Sequence, residues 1–234
     1  MQVLLFLHRL YFFVILNIRN KKTYKMKKII FLFIISSLIS IKGIGLTLSP
    51  ETEVSILTCA PGNELYSLFG HTAIRINDPR HQIDRVYNYG TFDFSTPHFY
   101  LKYARGLLPY QLTVQKFSHF IYNYQLEERT VYAQTIRLDS LEKQRIFDLL
   151  EENLLPQNRY YLYNFLFDNC TTRSRDILLK SLPDSVAWNM PDVNKNFWNL
   201  LDEYLQASPW VQWGIHTILG QRGNRTATTF QYMF

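Results

Sequence analysis

The chain has 234 residues, enough for one good-sized domain or two small ones, and 16% of them are aromatic. The formal charge of +6 is misleading, because residues 1–45 hold eight of the 25 basic residues and no acidic one. The remainder holds 17 basic against 19 acidic residues. A nucleic-acid-binding domain needs basic residues clustered on its folded part, so the composition argues against nucleic acid as a partner.

The basic excess at the N-terminus is typical of an export signal. Residues 26–45, "MKKIIFLFIISSLISIKGIG", begin with two lysines after a methionine, continue with a short apolar run and end in a small-x-small pattern. This order predicts a signal peptide cleaved after Gly45, or an uncleaved N-terminal anchor. Residues 1–25 are interpreted as an upstream extension from a misplaced start codon, and residues 46–234 as the exported domain.

Alternating apolar and polar residues predict strands through the first part of the exported domain. The stretch that follows the third strand, "FYLKYARGLLPYQLTV", fits either a helix or a strand. A helix with apolar residues on one face and a further strand come next. The predicted segments are strands at 53–62, 71–78, 84–94 and 129–138, and a helix at 115–128.

Two helices in the second half have clear start signals. Asp139 and Glu142 form a capping box for a helix that ends near Asn153. Asn169 is the N-cap of a helix that runs over residues 170–182 and stops before a proline.

A third helix is predicted near the C-terminus, where Ser208 is the cap, Pro209 occupies the first position and Gly220 is the stop. There is no repeat, linker or low-complexity tract. The mixture predicts one α+β domain with a small antiparallel sheet and packed helices.

Cys170 is the first candidate for chemistry, because it opens a predicted helix. A helix N-terminus carries partial positive charge and unpaired N–H groups, which favour a thiolate and stabilise an oxyanion. Two alternatives stay open. Cys170 is either a buried structural thiol, which its polar neighbours in "DNCTTR" disfavour, or the partner of Cys59, the other of the two cysteines, in a disulfide of an exported protein.

His71 is the second candidate, and it follows Gly70 at the start of a predicted strand. A lone histidine is more often structural than catalytic, but a cysteine nucleophile needs a base and a third group that orients the imidazole. Asn88 on the next strand is the expected orienting group, and Asp93 is the weaker choice. No HExxH motif or paired CxxC motif occurs, so neither a metal site nor a cofactor is expected.

The segments "VSILTCAPGNELYSLFGHTAIRI", "YNYGTFDF", "FYLKYARG" and "YNFLFDNCTTRSRDIL" together resemble the Lnb N-terminal periplasmic domain family over roughly residues 50 to 234. The resemblance implies a circularly permuted papain-like (NlpC-type) fold, in the broad group of lecithin:retinol acyltransferase. It also implies lipoprotein N-acyltransferase activity at the periplasmic face of the inner membrane. The longer members continue into membrane-spanning helices, so residues 46–234 are interpreted as a truncated or shorter relative.

Carried onto this sequence, the resemblance makes Cys170 the nucleophile, His71 the general base and Asn88 the orienting group. The implied partners are a phospholipid acyl donor, the N-terminal amine of a lipoprotein and the membrane surface, with no nucleic acid and no metal. Four further side chains are expected to contact the substrate, because they lie beside Cys170 or share a strand face with His71: Asn169, Thr171, Arg173 and Arg75.

Two other functions stay open, one that needs Cys170 and His71 as a reactive pair and one that does not. A cysteine peptidase or amidase that cuts cell-wall peptides needs the same Cys–His pair but an open polar cleft. A non-catalytic envelope-binding domain needs neither, and a Cys59–Cys170 disulfide would stabilise it. Aromatic pairs such as Phe99-Tyr100 and Tyr160-Tyr161 form either the wall of an acyl groove or ordinary core.

Overall fold

The computed structural model describes residues 45–104, 106–182, 194–228 and 231. The predicted extension over residues 1–25 lies outside the described residues, as does all of the predicted signal segment up to residue 44. The chain from Thr47 onward forms one compact unit. Its architecture is α+β, as the sequence predicts.

The strands form one six-stranded antiparallel sheet. Their bounds are β1 Glu53–Cys59, β2 His71–Asp78, β3 Ile83–Phe92, β4 Pro109–Lys116, β5 Val131–Thr135 and β6 Tyr160–Leu162. The order in the sheet is β5-β1-β2-β3-β4-β6, and every neighbouring pair is antiparallel. Four of these strands were predicted, the ambiguous stretch supplies β4, and β6 was not predicted.

The structure confirms two predicted helix starts, the capping box at Asp139 and the cap at Asn169. The third predicted helix also lies where expected, with Ser208 at the N-cap position, Pro209 first and Gly220 at the end, but the Ser208 side chain makes no capping hydrogen bond. No described helix is long and apolar enough to cross a membrane. The bounds are α1 Phe99–Ala104, α2 Phe117–Leu126, α3 Ser140–Leu154, α4 Cys170–Ser181, α5 Phe197–Leu205 and α6 Pro209–Leu219, followed by a 3-10 turn at Gly220–Arg222.

The two faces of the sheet bury different helices, because side chains alternate along each strand. On β2, Ile74 and Ile76 belong to the core cluster that contains residues of α3 and α4. Ala73 points the other way and packs in a second cluster with Phe120 of α2. This alternation fixes the register and therefore the direction in which each polar side chain of β2 points.

A third cluster lies outside the sheet and is built by the C-terminal helices. Leu200, Leu201 and Leu205 of α5 are buried in it. Phe69 and Phe165 pack against this cluster. These two phenylalanines lie in the loops that lead into β2 and toward α4, so the C-terminal helices stand next to the segments that carry His71 and Cys170.

Asp78, the last residue of β2, anchors this strand through hydrogen bonds to Ser49 and His81. Its carboxylate is fully buried and accepts hydrogen bonds from the backbone N–H and hydroxyl of Ser49, both at 2.8 Å, and from Nδ1 of His81 at 2.8 Å. Burial alone would raise the pKa of Asp78, but these hydrogen bonds outweigh it and hold the pKa well below its ordinary value of 3.8. We expect Asp78→Ala to destabilise the domain by about 3 kcal/mol, because it leaves a buried donor without a partner.

Urea unfolding at neutral pH measures this loss, and Asp93→Ala, which removes an exposed carboxylate bonded only to Ser95, is the matched control. The folded-state pKa of Asp78 is depressed, so its contribution is present above about pH 4 and disappears as the pH falls below that value. Equal stability of the two variants at pH 7 would contradict the anchoring role.

Candidate active site

Cys170 is the first residue of α4, and its side chain is half-buried. The Oδ1 atom of Asn169 accepts from the N–H of Thr172 at 2.9 Å, and the hydroxyl of Thr172 accepts from the N–H of Asn169 at 2.8 Å. This reciprocal cap holds the helix start in place. The cap takes the N–H of Thr172 and does not use the N–H groups of Cys170 and Thr171, which a helix start offers to an anion.

His71 is the first residue of β2 and interacts directly with Cys170. The residues that follow them, Thr72 and Thr171, are also in contact, because their hydroxyl oxygens lie 2.9 Å apart. Strand β2 is therefore held against the start of α4 by two contacts, one between His71 and Cys170 and one between the two threonines.

The charges of the pair favour the thiolate. Burial raises the pKa of Cys170, but the His71 imidazolium, its hydrogen bond to the sulfur and the N–H of Thr72 outweigh burial and lower the pKa to about 7. Burial likewise lowers the pKa of His71, yet attraction to Cys170 and hydrogen bonds with Cys170 and Asn88 raise it overall. A substantial fraction of the pair is therefore thiolate and imidazolium near neutral pH.

Asn88 lies on β3, is buried, and fixes the tautomer of the imidazole. Its Nδ2 donates to the carbonyl of Val86 at 3.3 Å, which turns Oδ1 toward Nε2 of His71, also at 3.3 Å. An amide oxygen only accepts, so Nε2 of a neutral His71 carries the proton and Nδ1 is left to take the proton of the thiol. Asp93 lies in an exposed turn.

Asn88→Ala tests this orienting contact. A hydrogen bond to a charged group contributes about 1.5 kcal/mol, so we expect thiolate formation at Cys170 to fall on the order of tenfold at neutral pH. The rate of Cys170 alkylation by iodoacetamide measures the thiolate fraction. Thr113→Ala, which removes the hydroxyl bonded to Thr91 on the facing strand, is the control for a general disturbance of β3, and an equal effect in both variants would argue against a specific role for Asn88.

The four side chains expected to contact substrate all have partners within the protein. Asn169 is the helix cap, and Thr171 bonds to Thr72. The guanidinium of Arg173 makes two bonds to Asp168, at 2.6 and 2.8 Å.

Arg75 likewise makes two bonds to Asp84, at 2.7 and 2.9 Å, and lies 3.6 Å from the centre of the Phe117 ring. None of the four is among the residues that line the cavity described below. Contact between these side chains and a substrate stays a prediction.

Cys59 and Cys170 are both free thiols. Cys59 is buried at the end of β1, directly opposite His71 in the strand register. Burial is the main cause that raises the pKa of Cys59 to about 11. The structure therefore contains one thiol that is activated and one that is not.

A cavity of about 600 Å³ opens beside the Cys–His pair, and both residues line it. This volume is within the range typical of small-molecule sites. Most of the other lining side chains are aromatic or aliphatic, and Arg222 is the charged residue among them. The aromatic members are Tyr66, Phe69, Phe92, Tyr103, Tyr110, Tyr163, Phe165 and Phe167.

Gly90 leaves room at the floor of this cavity. Its φ of +87° is in the region that favours glycine, and a Cβ there would lie 3.6 Å from Cβ of Cys170 and 3.5 Å from the ring of Tyr163. Tyr163 stacks on Tyr110 with ring centres 4.3 Å apart, which forms an aromatic wall next to the sulfur.

Sequence reasoning missed this cavity. Of the aromatic pairs that it named, Phe99, Tyr160 and Tyr161 do not line the cavity. The available signal was the run "YNFLF" directly ahead of Cys170, which supplies Tyr163, Phe165 and Phe167. Within the described ranges, no group of three or more metal-ligating side chains is present.

Comparison with known proteins identifies a family to which the chain is similar. Searches of curated proteins and of solved structures give no significant match. Residues 47–202, which include His71, Asn88 and Cys170, match the family described as "Lnb N-terminal periplasmic domain". That description supports a periplasmic location and an envelope-related role, and by this match over more than half of its length the chain belongs to the Lnb N-terminal periplasmic domain family.

Proposed function

We propose that this protein is a cysteine-dependent acyltransferase at the periplasmic face of the inner membrane. It moves a fatty acyl chain from a phospholipid, through a thioester on Cys170, to the N-terminal amine of a lipoprotein. The observation that carries the proposal is the opening of an activated Cys–His pair onto an apolar cavity of about 600 Å³.

The arrangement also supports a permuted papain-like fold. The nucleophile stands at a helix N-terminus, the base on a strand and an amide side chain behind the base, as in Cys–His–Asn enzymes. His71 precedes Cys170 in the chain, which is the order that a circular permutation of that fold produces.

The first half-reaction forms the thioester. Nδ1 of His71 takes the thiol proton, and the thiolate of Cys170 attacks the carbonyl carbon of the phospholipid ester. N–H groups at the start of α4 stabilise the oxyanion of the tetrahedral intermediate. The C–O bond then breaks, His71 gives its proton to the departing oxygen, and a lysophospholipid leaves.

The second half-reaction transfers the chain. The acceptor amine attacks the thioester carbonyl, an amide bond forms and the C–S bond breaks. His71 takes a proton from the amine, and the thiolate returns to its starting state. Water competes with the amine for the thioester, so the aromatic walls around Cys170 favour transfer by limiting access of water.

The cavity walls favour this function over a cell-wall peptidase. Stem peptides are polar and charged, and an enzyme that binds them needs polar partners along its cleft. Here the wall beside the nucleophile consists of rings such as Tyr163 and Phe165 and of aliphatic side chains such as Leu108. Burial of an acyl chain gains roughly 0.8 kcal/mol for each CH₂ group.

The direct test is mass spectrometry of the purified protein after incubation with phospholipid. We expect a mass gain of one acyl chain, located on Cys170 by peptide mapping and released by neutral hydroxylamine. Cys170→Ser and His71→Ala should show no adduct. Cys59→Ala is the matched control and should retain the adduct, because the thiol of Cys59 is buried and its pKa is raised.

Addition of a peptide with an N-terminal S-diacylglyceryl cysteine should discharge the adduct and yield the N-acylated peptide. Cleavage of peptidoglycan fragments without any adduct would instead identify a hydrolase and reject the acyltransferase.

A further inference from the structure

Helix α6 has exposed apolar side chains on the side that no other described part of the domain covers. The side chain of Trp210 is 86% exposed, that of Trp213 is 67% exposed and that of Ile218 is 63% exposed. No residue of α6 is fully buried. An exposed tryptophan pair is unusual on a protein surface, because tryptophan is strongly buried on average.

The same helix is almost without charge. Its sequence, "PWVQWGIHTIL", contains no Lys, Arg, Asp or Glu. The Nε2 atom of His216 lies 2.8 Å from the carboxylate of Asp202 on α5, so this side chain is held against the neighbouring helix. Tryptophan and aliphatic residues without charged neighbours are typical of segments that lie in the interface of a lipid bilayer.

The exposed face of α6 is continuous with the mouth of the catalytic cavity. Ile218 lines the cavity and is exposed. Leu65, Tyr66 and Phe167 also do both, with exposed fractions of 51%, 54% and 38%. The rim of the cavity is therefore apolar and faces outward, next to the tryptophan pair.

Two exposed arginines follow α6 in the chain, and the first of them lies at the cavity. Arg222 lines the cavity just after α6, and Arg225 follows it; both side chains are exposed. Among the described residues, neither guanidinium has an ion-pair partner. Free guanidinium groups beside an apolar face complement the phosphates that lie at the edge of the hydrocarbon region.

We propose that α6 and the cavity rim form the surface by which the protein docks on the bilayer, with Trp210 and Trp213 in the interface and Arg222 at the phosphate level. The inference rests on the proposed function, because it explains how the acyl chain of a bilayer lipid reaches Cys170. A lipid that leaves the membrane at the rim enters the cavity without crossing water. The occupant of the surface is thus phospholipid rather than a protein partner.

Tryptophan fluorescence of the full chain with brominated phospholipids tests the docking. Residues 1–45 contain no tryptophan, so any membrane contact that they make is silent in this measurement. A Trp188→Phe background leaves Trp198, Trp210 and Trp213 as reporters. We expect vesicles of brominated phosphatidylethanolamine and phosphatidylglycerol to lower the emission by about half, since an interfacial helix sits roughly 5–10 Å deep.

The quenching should disappear when Trp210→Phe and Trp213→Phe are added to this background, because only Trp198 then remains and it packs against His216 within the fold. Unquenched emission from the background protein, or equal quenching with and without the two substitutions, would overturn the docking surface. So would a dimer in sedimentation analysis that the two substitutions dissociate, because the face would then be covered by a second copy.

The rate of thioester formation with two different donors tests the docking surface separately from the proposed function. With phospholipid in vesicles, the Trp210→Ala/Trp213→Ala variant should react at least about tenfold more slowly than wild type. With a monomeric short-chain ester, the two should react equally. The control Tyr132→Ala removes an aromatic residue that is 64% exposed on β5, away from the cavity, and should match wild type with both donors.

Failure of every protein to form a thioester with either donor would reject the proposed function. Equal rates of wild type and the double variant with vesicles would reject only the docking surface.

Discussion

Replacement of His71 by alanine is expected to shift the reactivity of Cys170 by at least two pH units. The pKa of Cys170 is lowered to about 7 against the opposing effect of burial, and His71 is the largest favourable cause. Without it, burial remains and the pKa returns to its ordinary value of 9.0 or above. At pH 7 the thiolate fraction should fall on the order of a hundredfold.

The measurement is the rate of iodoacetamide alkylation of Cys170 across a pH series, followed by peptide mass spectrometry. It needs no acyl donor, so it tests the pair independently of the proposed reaction. Cys59 in the same sample is the internal control, because its burial and its pKa of about 11 keep it unreactive in a folded protein. An unchanged midpoint for Cys170 in His71→Ala would mean that the imidazole does not activate the thiol.

The Cys170–His71 pair was predictable because local signals position each member. Asn169 ahead of Cys170 marks a helix start, and the alternation in "HTAIRIND" places His71 at the beginning of β2; the structure has both elements at those residues. A helix N-terminus favours a thiolate whatever the rest of the fold is. The position of Asn88 behind His71 also follows once β2 and β3 are taken as neighbours.

The pairing of the arginines could not be predicted in the same way. Arg75 and Asp84 are nine residues apart and meet only because β2 and β3 pair in a particular register. The sequence indicates the face on which Arg75 lies, but not which carboxylate crosses from the next strand. An unpaired arginine beside a histidine is a reasonable candidate for substrate contact, and only the register reveals its partner.

The cavity and two of its supporting elements depend on tertiary structure. Helix α5 is capped by Asn196 and has Asn199 at the third position, where a recognisable capping box has Glu or Gln. Strand β6 has three residues and exists only through its pairing with β4. The cavity is lined by strands, loops and helices far apart in the chain, so no local pattern indicates its walls.

Gly70→Ala is expected to damage both the stability of the domain and the Cys–His pair. Gly70 has a φ of +71°, and a Cβ there would lie 2.4 Å from the carbonyl oxygen of Cys59. The obstacle is backbone in β1, so no side-chain rotation relieves the clash. The left-handed conformation alone costs an alanine about 1–2 kcal/mol, and with the clash we expect a total loss near 3 kcal/mol in urea unfolding.

Gly106→Ala separates the two contributions. Gly106 has a φ of +65° and no atom within 4 Å of the Cβ position, so its replacement should lose only the conformational part, about 1 kcal/mol. Because Gly70 directly precedes His71, the movement that relieves the clash must also displace the imidazole from Cys170. We therefore expect Gly70→Ala, but not Gly106→Ala, to raise the alkylation midpoint of Cys170. A Gly70→Ala variant with the stability and midpoint of Gly106→Ala would show that β1 does not hold the histidine in place.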